Sequence, residues 1–88
     1  MIDIKKLFKA LETAEAATNK LDMQLEAEPE NEKISAAWDK AYSKEFKAHE
    51  ALVAGIVEMT SGMIDSKTAR IMISAKRAEL KNLISRLA

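Results

Sequence analysis

Three polar residues hold the chemical constellation that stands out most in this chain. Glu45 and His49 are one helical turn apart, so a helix through them presents both on one face. If the chain reverses near Gly62, Lys76 falls opposite His49, with Glu45 one turn further along. A carboxylate, an imidazole and an amine brought together could move a proton or hold a ligand. The same three groups could instead form a buried Glu45–Lys76 pair that locks helix register. A lock of this kind, or a site at the rim where the long side chains reach water, is the reading favoured here, because a charged side chain buried without a partner is costly.

No metal centre is expected. The chain has one His and no Cys, too few ligands for a typical coordination set. Dimerisation would double the His and Glu ligands, which is the one route to such a site. Paired carboxylates such as Glu12 with Glu15 lie on a charged face and suggest no hydrolase. Gly55 and Gly62 are isolated, so no phosphate-binding loop is present. Nothing resembles a Ser-His-Asp arrangement. No catalytic residue, cofactor or metal is therefore assigned, and no enzymatic role is expected.

A second group is basic. Lys67, Arg70, Arg77 and Lys81 lie within about 80° of one another on a helical wheel, a stripe that could meet phosphates. It contains no Asn or Gln to read adenine, and a solvated helix face carries such stripes often. A third group is apolar. Trp38 and Tyr42 sit on adjacent turns and either cover an alanine-rich seam near Ala17 and Leu21 or anchor a partner. Ile71, Ala75 and Ala78 form a small patch opposite the main apolar face of the last segment, suited to contact with another chain.

Helices must position all of these. Ile4, Leu7, Leu11, Ala14, Thr18, Leu21 and Leu25 recur at spacings of three and four, which predicts an amphipathic helix over about 4–27. Asp3 is its cap candidate. Pro29 then interrupts the pattern, because it lacks an amide hydrogen and clashes with a preceding turn. Either Pro29 opens the next helix, or Asn31 caps one starting at Glu32. That second helix is predicted over about 32–60, with Ile34, Trp38, Ala41, Tyr42, Glu45, Ala48, His49, Leu52, Ile56 and Met59 facing inward, flanked by Phe46 and Val53. Gly62 can take the left-handed conformation that ends it. A third helix is predicted over about 65–87, capped by Asp65. Ala69, Met72, Ile73, Leu80, Leu83, Ile84 and Leu87 share its inner face, and Lys76 falls in the middle of that face.

The 88 residues fit one domain with a thin core. The expected fold is all-α: an antiparallel three-helix bundle, or a slim helical hairpin assembly that hides its remaining apolar surface by dimerising. Formal net charge is zero but unevenly placed. Residues 1–62 carry 8 basic and 12 acidic side chains, a net of −4, and residues 63–88 carry 6 and 2, a net of +4. The longest apolar run, Ala51 to Val57, is far short of a membrane span, and the opening residues form no apolar signal core. A cytoplasmic protein without a membrane role is expected. Its expected function is that of a non-enzymatic helical protein-interaction module or adaptor, self-associating or binding another protein. The alternative is weak nucleic-acid binding through the Lys67–Lys81 stripe.

Overall fold

The computed structural model describes residues 2–88; Met1, the first residue of the opening segment and of the expected domain, lies outside them. Among the described residues four helices pack together: α1 (Ile4–Ala27), α2 (Glu32–Met59), α3 (Ser66–Ala75) and α4 (Arg77–Leu87). No strand occurs among the described residues.

Local chemistry sets the helix ends. The Asp3 side chain accepts a hydrogen bond from the Lys6 amide and starts α1. Between α1 and α2, the Asn31 alternative is the one realised. Its side-chain oxygen accepts from the amides of Lys33 and Ile34, and Pro29 lies in the preceding turn. Asp65 caps α3 by accepting from the Thr68 amide at 2.8 Å. At the end of α2 two residues take positive φ, Ser61 at 52° and Gly62 at 81°. The Gly62 amide donates to the Val57 carbonyl and the Ser61 amide to the Glu58 carbonyl, which satisfies carbonyls left free by the helix end.

The expected third helix is two helices. Lys76 leaves helical geometry, with φ −132° and ψ 51°, and links α3 directly to α4. The physical reason lies in its place on the wheel. A straight helix through residues 66–87 would hold the Lys76 amine at the centre of the apolar face, where its desolvation is unfavourable. The break puts Lys76 in solvent and lets Ala69 and Ile73 on one side, Leu80 and Ile84 on the other, reach a common core.

That core lies at one end of the molecule. Ile4, Phe8 and Leu11 of α1 meet Leu52, Val53 and Ile56 of α2 beneath the α3–α4 pair. Gly55 permits the close approach of the first two helices, since a Cβ there would sit 2.9 Å from Leu7 Cδ1 and 3.2 Å from Ile4 Cδ1. α3 lies along α2, and α4 returns along α1 toward Ile2 and Met59. The molecule measures 46 × 23 × 20 Å, longer than α3 and α4 can cover at about 1.5 Å per residue. The far half of the hairpin is consequently two helices alone. Thr18 is its last buried residue, and none between Asn19 and Ala51 is buried.

Candidate functional site

The α3–α4 pair covers one side of the hairpin base and stops at a corner formed by Lys76 and Arg77. Two arginines fasten this corner. Arg77 donates through Nη1 and Nη2 to the two carboxylate oxygens of Glu15, at 2.8 and 2.9 Å, and through Nε to the Ile73 carbonyl. Its guanidinium carbon also lies 5.9 Å from the Phe8 ring centroid, a cation–π distance. The hydrogen bonds from Arg77 hold the Glu15 carboxyl below the usual range, and Glu15 in turn raises the Arg77 pKa. Arg70 pairs with Glu50 at 2.8 Å.

These contacts redefine the expected basic stripe. Lys67, Arg70 and Lys81 are exposed and Arg77 is half-buried. Both arginines are committed to carboxylates of the hairpin. Neither lysine is in an ion pair among the described residues.

The expected buried cluster of Glu45, His49 and Lys76 does not assemble. Lys76 is exposed at the helix break, whereas Glu45 and His49 are half-buried. The inward cation at the corner is instead Arg77, the next residue. No ion pair or hydrogen bond joins Glu45, His49 and Lys76 among the described residues. His49 Nδ1 lies 3.9 Å from Glu50 Oε1. No group of three or more His, Asp or Glu side chains could hold a metal ion among the described residues.

At the foot of the corner the hairpin has a cleft of about 380 Å³. It is lined by Leu11, Glu15, Tyr42, Glu45, Phe46, His49, Glu50 and Arg70. Tyr42, expected on the inner face of α2, is 48% exposed, and Phe46, expected on its flank, is 57% exposed, because no α3–α4 layer covers this part of the hairpin. Trp38 is half-buried and stacks on Tyr42, with ring centroids 5.1 Å apart and planes 13° from parallel. Its indole Nε1 is buried without a hydrogen-bond partner among the described residues.

The other side of the same two helices carries a different groove, of about 480 Å³. Ala10, Thr13, Ala14, Ala17 and Ala48 line it together with Lys6, Lys9 and Lys44. The two sides of the hairpin therefore differ: one aromatic beside the α3–α4 corner, the other floored by alanine and edged by lysine. Ile71, Ala75 and Ala78 are all exposed, but the break at Lys76 splits them between α3 and α4, so they share no helix face.

No family model, curated protein or solved structure matches the chain. No helix is long and apolar enough to cross a membrane among the described residues.

Proposed function

We propose that this small all-α chain is a non-enzymatic protein-interaction module that docks through the free arm of its α1–α2 hairpin. The observation that carries this reading is the arm itself. Half the hairpin projects beyond the core as a single layer, and Tyr42 and Phe46 stand exposed where that layer meets the corner. Helices gain most of their stability by burying an apolar face, so a two-helix layer with uncovered rings is suited to a protein partner. Aromatic side chains supply large contact area at low entropic cost. Phosphate binding by the Lys67–Lys81 stripe has less support, because Arg70 and Arg77 are already paired.

Capture of partners from the native cell tests the proposal. A Tyr42→Ser, Phe46→Ser double variant should keep its helix content and lose the captured partners. Retention of the same partners by a folded double variant would place docking elsewhere and overturn the reading.

A further inference from the structure

We infer that the arm docks on a second copy of itself: two hairpins pack antiparallel about a two-fold axis, each acidic tip seated against the other's α3–α4 corner. This rests on the reading of the arm as a docking surface.

Shape is the first argument. The base of the molecule is two helical layers deep and the arm is one, so one side of the hairpin has a step the depth of one helix layer. Helix layers pack about 8–10 Å apart, and the arm of a second copy has the thickness to fill that step. Only an antiparallel arrangement lets each arm fill the other's step. Such an interface is isologous and closes at two copies.

Charge is the second argument. Asp22, Glu26, Glu28, Glu30 and Glu32 are five exposed carboxylates at the tip, and no Lys or Arg lies between the first and the last. None of them is in an ion pair among the described residues. The α3–α4 segment carries six basic side chains and one acidic; Arg70 and Arg77 are paired within the chain, and Lys67, Lys76, Lys81 and Arg86 are outside any ion pair among the described residues, with Lys76 exposed at the corner. Antiparallel packing brings these opposite charges together at both ends of the overlap between the two arms. Parallel packing would set tip against tip. The opposite side of the hairpin is edged by Lys6, Lys9 and Lys44, so pairing it with itself would set lysine against lysine.

Apolar area favours the same pairing. Tyr42 and Phe46 lie at the foot of the step, on the face the second arm would cover. The overlap is only two helices wide and a few turns long. It belongs at the small end of stable interfaces, so the dissociation constant should lie at roughly 1–100 µM.

Light scattering on the purified chain, from about 1 to 500 µM, reads this directly. The expected result is a monomer–dimer equilibrium that weakens with salt. Tyr42→Ser with Phe46→Ser should weaken it at least tenfold while circular dichroism stays unchanged. Lys76→Glu alone, or Glu28→Lys with Glu30→Lys, should also weaken it, and all three charge changes in one chain should restore it. A second readout uses the absence of native cysteine. Glu30→Cys mixed with Lys76→Cys should form a tip-to-corner disulfide faster than Glu30→Cys links to itself.

A monomer at about 500 µM, charge changes without effect, or faster tip-to-tip linkage would each overturn the dimer. If the chain is monomeric yet still captures another protein through Tyr42 and Phe46, the dimer fails and the docking reading stands. If capture is also indifferent to those residues, both fail.

Discussion

Arg77 grips both carboxylate oxygens of Glu15, joining two residues 62 positions apart in the chain. This contact fastens the start of α4 to the middle of α1 and marks the point where the covered base ends. Each side chain is about one-third exposed, so the pair is partly screened by water.

The pair gives a pH dependence whose sign follows from the Glu15 shift. Hydrogen bonds from Arg77 depress the folded-state pKa of Glu15 below the ordinary value of 4.5. The folded chain therefore binds fewer protons there than the unfolded chain. The resulting stability is fully present above pH 4.5 and is lost as pH falls through the depressed folded value. Glu15→Gln should cost about 1 kcal/mol near neutral pH and little in strong acid. Denaturant melts across that range would show it. An equal cost at both ends would show that the carboxylate charge is not what stabilises the corner.

Ser61 predicts a stabilising substitution. A side chain at φ 52° meets the steric cost of the left-handed region, which glycine avoids. Ser61→Gly should raise stability by about 0.5 kcal/mol, after the extra unfolded-state freedom of glycine is subtracted. Gly62, at φ 81°, should show the reverse: Gly62→Ala should lower stability by about 1 kcal/mol. Thermal melts of the two variants moving in opposite directions would confirm which residues close α2.

Gly55 separates two effects of adding atoms. A Cβ at this position meets side-chain methyls rather than backbone, the far ends of Leu7 and Ile4 with Ile2 Cγ2 at 3.6 Å, while alanine favours the helix by about 1 kcal/mol. Gly55→Ala should therefore change stability by less than about 1 kcal/mol. Gly55→Leu must push α1 away from α2 and should cost about 3 kcal/mol. A well-tolerated leucine would mean that α1 and α2 separate there without loss.

Much of the fold was legible in the chain. The stripe from Ile4 to Leu25 and the face from Ile34 to Ile56 define two long helices because periodicity and packing agree along both. Pro29, Asn31, Gly62 and Asp65 mark the helix ends because caps and turns are local, each involving a few neighbouring atoms. The break at Lys76 was not legible. On a wheel, that residue can equally mark a buried partner for Glu45 or a place where the helix must stop. Choosing between them requires the free energy of the whole packing. The Glu15–Arg77 and Glu50–Arg70 pairs were hidden for the same reason, since their positions depend on where α4 begins.

By itself the sequence determined four things: helical class, two long antiparallel helices, the chemistry of their ends, and an acidic tip distant in the chain from a basic final segment. These follow from local sterics, capping and charge content, which neighbours in sequence settle. Tertiary structure alone decided that the final segment folds in two over one end of the hairpin. That choice keeps the Lys76 amine in water and gathers the apolar residues of α3 and α4 onto one core. It also leaves the other half of the hairpin as an uncovered arm, with Tyr42 and Phe46 exposed at its root.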